Sequence, residues 1–370
     1  MKYYIIAGEA SGDLHGSNLM KALYNEDSKA DIRFWGGDLM QKVGGTLLKH
    51  YRQLAFMGFA EVVFHLKTIL NNIALCKKDI TDFQPDVIVF IDYPGFNLRI
   101  AKWAKTQGFK THYYISPQIW AWKENRITDI KRDVDKMFVI LPFEKDFYEK
   151  KHHFPVAFVG HPLIDAIDNH PKLNAATFRK ENHLSEKPII AILPGSRKQE
   201  ITKMLSVMLS VAKNFKDYQF VIAGAPSQEF SFYKPFITQE NIKFISNKTY
   251  DLLQNATAAL VTSGTATLET ALFKVPEVVC YKGSWASYQI AKRIVTLKYI
   301  SLVNLIMDEE VVTELIQEKC SKKHIRTELN KILEPKHRAN LLEKYDVLEQ
   351  KLGGIGASKK TAKMIVAEIQ

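Results

Sequence analysis

Apolar residues along this chain fall into two alternating patterns. Short, nearly unbroken apolar runs recur at Tyr3–Ala7, Asp31–Trp35, Val87–Ile91, Lys110–Ile115, Lys136–Ile140 and Val156–Val159. Elsewhere the apolar positions open to the three-and-four spacing of a helix, most clearly at Leu14–Tyr24, Val62–Phe83 and Leu98–Thr106. Unbroken runs suit strands buried on both faces, and spaced ones suit helices laid over them. Gly160-His161-Pro162 interrupts the alternation, which then resumes. Strands are predicted at Ile189–Leu193, Phe220–Ala223, Ala258–Val261 and Glu277–Tyr281, and helices near Lys198–Lys213, Tyr250–Asn255 and Thr265–Phe273. Beyond about Asn304 the chain turns charged and helical, with a break at Gly353-Gly354-Ile355-Gly356.

Two such cycles predict an α/β protein of two Rossmann-like domains with parallel sheets, residues 1–160 and 161–344, facing each other across a cleft at the carboxyl ends of their strands. The 370-residue length is more than one hydrophobic core usually organises. Two placements are open for the segment from about 345 to 370: packing back on the first domain, or exchange between the subunits of a homodimer.

Composition narrows the partners. A formal net charge of +11 calls for something anionic: a nucleotide, a phosphorylated substrate, nucleic acid or an acidic membrane surface. Interleaved aromatic and basic residues of the kind that read RNA are missing, which argues against nucleic acid. The three cysteines, Cys76, Cys280 and Cys320, are too scattered for a disulfide framework or a zinc site and fit a reducing cytosol. No secretory signal is expected, and no apolar run reaches the ~20 residues of a spanning helix.

Polar residues just past predicted strand ends are the candidates for chemistry. Gly8-Glu9-Ala10-Ser11-Gly12-Asp13 follows the first strand and reads as a ligand loop, with a helix opening at Leu14. Asp92 follows Val87–Ile91 directly, where a partly desolvated carboxylate can take a proton from a substrate hydroxyl; a turn aspartate bonding its own backbone is the competing reading. Pro194-Gly195-Ser196-Arg197 offers N–H groups at a helix start together with a guanidinium, a grip for phosphate. Ser263-Gly264-Thr265 opens another helix suited to a diphosphate, and Glu269 on its first turns suits ribose hydroxyls. Of Trp120 and Trp122, one is expected to pack inward and the other to meet a sugar face. Asp133-Val134-Asp135 lies among Lys131, Arg132 and Lys136 and reads as a solvated helix end, so no metal site is expected. The dinucleotide and P-loop glycine patterns do not occur.

Seven segments in order resemble the motifs of the bacterial lipid-A-disaccharide synthases: Gly8–Asp13, Ile91–Asn97, Tyr114–Trp122, Leu141–Glu144, Val159–Pro162, Leu193–Arg197 and Ser263–Glu269. Tyr93 and Gly95 depart from the Ala and Asp common there, and beyond Tyr281 the likeness is one of composition. The resemblance implies an inverting glycosyltransferase of GT-B type, without metal or other cofactor. Its reaction joins UDP-2,3-diacylglucosamine to 2,3-diacylglucosamine 1-phosphate, with UDP as leaving group. It implies Asp92 as the catalytic base, with Asp13 as the alternative. Glu9, Ser11, Asp13, Asn97, Trp122 and His161 would contact substrate, His161 having junction packing as its equal rival. Ser196, Arg197, Ser263, Gly264, Thr265 and Glu269 would bind UDP. A UDP-sugar 2-epimerase is the alternative activity on this fold. Acylated substrates further imply work at the anionic cytoplasmic face of the inner membrane. The apolar stretch Phe56–Leu66, flanked by Lys42, Lys49, Arg52 and Lys67, is either the contact with that surface or core.

Overall fold

A computed structural model of the chain describes residues 1–54, 66–226, 228–283 and 298–370. The expected membrane-contact stretch therefore lies outside the described residues, apart from the backbone of Leu66, where a helix, Leu66–Phe83, begins. The chain divides into two compact units, one of Met1–Asp168 with Leu352–Gln370, the other of Asn169–Lys351.

In the first unit, seven parallel strands are ordered β3-β2-β1-β4-β5-β6-β7: β1 (Lys2–Ala7), β2 (Asp31–Gly36), β3 (Thr46–His50), β4 (Val87–Ile91), β5 (Thr111–Tyr114), β6 (Lys136–Val139) and β7 (Ala157–Phe158). The central strands β1 and β4 are buried almost throughout because helices cover both faces. One face carries Tyr4, Ile6, Trp35, Ile88, Phe90 and Tyr113, and here the Trp35 indole N–H donates to the Tyr4 hydroxyl at 2.9 Å. In the second unit, six parallel strands are ordered β10-β9-β8-β11-β12-β13: β8 (Ile189–Leu193), β9 (Gln219–Gly224), β10 (Ile242–Ser246), β11 (Ala256–Thr262), β12 (Glu277–Tyr281) and β13 (Glu314–Ile316).

Among the described residues, three strands had no signal in the hydrophobic pattern: β3, β10 and β13. Each lies at a sheet edge and is only partly buried, so none carries an unbroken apolar run. The Gly160-His161-Pro162 break falls inside the first unit rather than at its boundary. Pro162 opens the helix Pro162–Asp168, and the Asp165 carboxylate accepts the Gly356 and Ser358 N–H groups at 2.6 and 2.9 Å. That carboxylate stands in for an N-cap on the last helix, Ala357–Ile369, and draws it onto the first unit. The His161 N–H donates to the Leu352 carbonyl at 2.9 Å beside it. Gly160 and Gly353 come so close that a Cβ on Gly353 would lie 3.1 Å from the Gly160 Cα.

Candidate active site

Each sheet reverses its strand order once, between β1 and β4 and between β8 and β11. Crevices at the carboxyl ends of such strands are where open α/β sheets bind ligands. The candidate turns sit at these two reversals: Gly8–Ser11 and Asp92–Tyr93 in the first unit, Pro194–Arg197 and Ser263–Thr265 in the second.

Beside β1, the helix runs Ala10–Glu26 with Glu9 at its N-cap, so Ser11 and Asp13 are helical rather than in a loop. Glu9 and Ser11 are exposed at the helix start. The Ala7–Ile91 register sets this end of β1 alongside the end of β4. There Asp92 and Tyr93 adopt left-handed backbone in succession, φ 43° and 50°. Strain of this kind, of order 1 kcal/mol or more per residue, persists only where surroundings enforce it. Here the Asp92 carbonyl accepts the Tyr113 hydroxyl at 2.6 Å and the Asn97 amide at 2.7 Å. The Asp92 carboxyl, half-buried, is raised from its ordinary 3.8 to about 6 by burial and then by the negative charge of Glu9, with the Tyr93 N–H opposing. It is thus a carboxylate at neutral pH, and a more basic one than usual.

Several expected ligand contacts turn out to be engaged within the protein. Asp13 is buried, and its carboxylate accepts the N–H groups of Gly37, Leu39 and Met40 at 2.8–3.0 Å, fastening the start of the helix Asp38–Val43. Taking up a substrate proton would break that cap. Asn97 is fully buried and holds the Asp92 turn from behind. His161 is buried too. Its Nδ1 accepts the Leu163 N–H at 3.2 Å, and burial first, then nearby His15, lowers it to about 3, so it stays neutral. Gly8 serves packing: a Cβ there would strike the Tyr93 ring at 2.2 Å. Trp120 donates to buried Glu144 at 3.2 Å, while Trp122 is exposed.

In the second unit the Pro194–Arg197 turn leads into the helix Lys198–Leu209 with Arg197 at the N-cap. Arg197 is exposed and has no carboxylate partner among the described residues. Gly195 has φ +99°, and a Cβ there would meet the Glu200 carboxylate, which accepts the Ser196 N–H at 3.3 Å. An acidic group of the protein thus occupies an N–H that a phosphate would seek. Across the reversal, Gly264 and Thr265 are exposed at the start of the helix Thr265–Leu272, and Ser263 donates to the Ile300 carbonyl at 2.8 Å. Glu269 accepts the Tyr250 hydroxyl at 3.1 Å, and burial raises its carboxyl above the usual range.

Tyr113, Glu200 and Tyr250 were invisible to sequence reasoning, since each acts through a partner distant in sequence or through a loop whose course was unknown, and Glu144 stood out only as the end of the Leu141–Glu144 motif, with no sign of what it holds. Asp133 and Asp135 are structural: Asp133 is buried and paired with Arg132 at 2.6 Å, and Asp135 pairs with Lys105 and accepts the Thr111 N–H at 3.0 Å. No three His, Cys, Asp or Glu side chains gather as metal ligands among the described residues. No described helix is long and apolar enough to cross a membrane.

A family profile described as lipid-A-disaccharide synthetase matches residues 3–368. The lipid-A-disaccharide synthase of Geobacter metallireducens is 36% identical over 370 residues, covering 98% of this chain and 96% of the relative. That of Syntrophus aciditrophicus is 38% identical over 376 residues, covering 99% and 97%. Among solved structures, UDP-GlcNAc 2-epimerase from Neisseria meningitidis, bound to UDP-GlcNAc, superimposes with a TM-score of 0.71 at 14% identity, covering 99% of this chain and 100% of that one. The glycosyltransferase of kitacinnamycin gives a TM-score of 0.65 at 12% identity, covering 100% and 99%. At such identities these structures share the fold, a GT-B type pairing of Rossmann-like units.

Proposed function

We propose, from the premise that this chain belongs to the lipid-A-disaccharide synthetase family, that it joins UDP-2,3-diacylglucosamine to 2,3-diacylglucosamine 1-phosphate as an inverting glycosyltransferase. The observation that carries the chemistry is the Asp92 carboxylate, held on a strained turn at the strand-order reversal with a basicity near neutral pH. A general base works best with a pKa close to the operating pH.

In this reading Asp92 accepts the proton of the acceptor's 6-hydroxyl as the oxygen attacks the anomeric carbon of the donor. The bond from that carbon to the diphosphate breaks on the opposite face, giving a β-1,6-linked disaccharide 1-phosphate and UDP. Glu9 and Ser11, exposed at the neighbouring helix start, orient acceptor hydroxyls. Charge developing on the diphosphate falls to Arg197, Ser196 and the turn Ser263–Thr265, and Glu269 accepts ribose hydroxyls. Cations and helix-start N–H groups can supply this stabilisation without a divalent ion. UDP release is accordingly expected to persist in EDTA. Asn97 supports the Asp92 turn from behind, whereas Asp13 fastens the start of the helix Asp38–Val43 and His161 accepts the Leu163 N–H.

Both substrates carry acyl chains, and the chain carries a net charge of +11. These support work as a peripheral protein on the anionic cytoplasmic face of the inner membrane. The test of the reaction is mass-spectrometric detection of UDP from the donor with and without diacylated acceptor. Release only with acceptor is expected. Conversion of the donor to a second UDP-sugar in the absence of acceptor would overturn the reading in favour of an epimerase.

A further inference from the structure

We propose that Trp122, Lys123 and Arg126 form a subsite for the anionic group of the acceptor, a phosphomonoester carried on a sugar ring, beside the Asp92 turn of the first unit. The inference rests on the reaction proposed above, in which the acceptor offers its 6-hydroxyl to Asp92 and bears a phosphate on C1 of the same ring.

The loop after β5 is held in an unfavourable shape. Ile115 and Lys123, neither of them glycine, have φ 64° and 57°. A fully engaged anchor keeps the loop there: buried Glu144 accepts the Ser116 hydroxyl at 2.6 Å, the Trp120 indole N–H at 3.2 Å, and the N–H groups of Ile140 and Leu141 at 3.1 and 2.9 Å. Strain secured in this way points to a surface whose shape matters. That surface is Trp122, 48% exposed, with the Lys123 ammonium 4.3 Å and the Arg126 guanidinium 5.9 Å from its ring centroid.

These two cations are not neutralised by the carboxylates closest in sequence. Glu124 is taken by Lys151 at 2.6 Å and His152 at 2.9 Å, and Asp129 by Arg132 at 2.9 Å. Lys123 and Arg126 have no carboxylate partner among the described residues. The loop that carries them starts beside Asp92: the Asp92 N–H donates to the Tyr114 carbonyl at 3.2 Å, and the Tyr113 hydroxyl donates to the Asp92 carbonyl at 2.6 Å. An indole face can carry a sugar ring while a lysine and an arginine take phosphate oxygens. An exposed pair of cations grips a free phosphate weakly. A phosphate tethered to a sugar already seated at Asp92 arrives at high effective concentration.

The test compares the parent protein with Lys123→Ala and Arg126→Ala on two acceptors, 2,3-diacylglucosamine 1-phosphate and the same sugar without its phosphate, with UDP release as readout in detergent micelles. The parent is expected to prefer the phosphorylated acceptor. Each variant should cut that preference, as the ratio of kcat/KM values, by about tenfold through a raised KM, the loss expected for one charge-assisted hydrogen bond. Affinity for UDP in direct titration should not change. A parent indifferent to the phosphate, or variants that lose equally on both acceptors, would overturn the subsite and leave the reaction standing. An anionic lipid headgroup offers the same phosphate chemistry, so sedimentation with phosphatidylglycerol vesicles is measured alongside. Variants that sediment less while keeping the parent's acceptor preference would assign these cations to the membrane and overturn the subsite. If the parent releases no UDP with either acceptor, the proposed reaction falls and the subsite with it.

Discussion

At the scale of single residues, the environment of Asp92 makes its charge dependent on pH within the physiological range. Its carboxyl is raised to about 6, so its proton-accepting form is lost as the pH falls through that value. The acid limb of kcat/KM is therefore expected near pH 6, and Glu9→Gln should move it to lower pH by removing the second cause of the shift. Asp92→Asn should reduce kcat by about 100-fold or more while leaving UDP affinity intact. The same change should stabilise the fold. A carboxyl with a raised folded pKa contributes stability below its unfolded value of 3.8 and loses it as pH rises through about 6, so the uncharged amide should melt higher at pH 7.5. A lower melting temperature would show that the negative charge is needed by the fold. In the second unit, Arg197→Ala should weaken UDP binding in direct titration, whereas Glu200→Gln should strengthen it, because the carboxylate on the Ser196 N–H repels phosphate. The position of Asp92 and Arg197 just past strand ends was legible from sequence, because a residue type and a strand end are both written there. The engagement of Asp13 was not. Its three partners lie 24 to 27 residues away, and nothing in a string of letters says which backbone N–H groups a carboxylate will meet.

At the scale of elements, the interior strands announce themselves and the edges do not. β8 is apolar at every position because it is buried at every position, whereas β10 interleaves Lys243 and β13 begins with Glu314. Glu314 shows what an edge strand can hold. Its carboxylate accepts the N–H groups of Ile300 and Ser301 at 2.9–3.1 Å and the Asn304 amide at 2.9 Å, and Ile300 in turn receives the Ser263 hydroxyl. β12 carries a liability instead. Glu277 is fully buried without a hydrogen-bond partner on either carboxyl oxygen among the described residues, and burial, followed by the charge of Glu314, pushes its carboxyl well above the usual range. It is neutral in the folded protein at pH values where the unfolded chain has already lost the proton. Its contribution is therefore present below about 4.5 and declines as pH rises. Glu277→Gln should flatten the fall in urea midpoint between pH 5 and 8. An unchanged slope would mean that Glu277 finds a partner in solution.

At the scale of the whole molecule, the alternation of strand and helix was enough to read two α/β cycles, but not the path by which the chain closes the first of them. That path depends on Asp165 meeting two N–H groups nearly 200 residues later in sequence, and on two glycines small enough for the backbones to pass. Asp165→Ala should lower the stability of the first unit by about 1 kcal/mol or more, through loss of the cap and exposure of the helix Ala357–Ile369, seen as faster amide exchange in that helix. Unaltered exchange there would reassign the anchor to the Lys110 and Lys136 contacts with Glu368.

This closure also sets an order of events during synthesis. A ribosome moving along the message completes Met1–Asp168 early, yet the segment from Leu352 that belongs with it emerges only after all of Asn169–Lys351 has been made. At roughly 5–20 residues per second, the first unit waits on the order of ten seconds or more with the helix Ala10–Glu26 uncovered along the side that receives the last helix. The second unit has no such wait, because its residues are contiguous. A nascent chain held, through an added C-terminal linker, with Lys351 just clear of the ribosome and the segment from Leu352 still inside it should therefore resist protease in its later half while its earlier half is still cut. Emergence of Leu352–Gln370 should then protect both, so that the part made first is the part finished last.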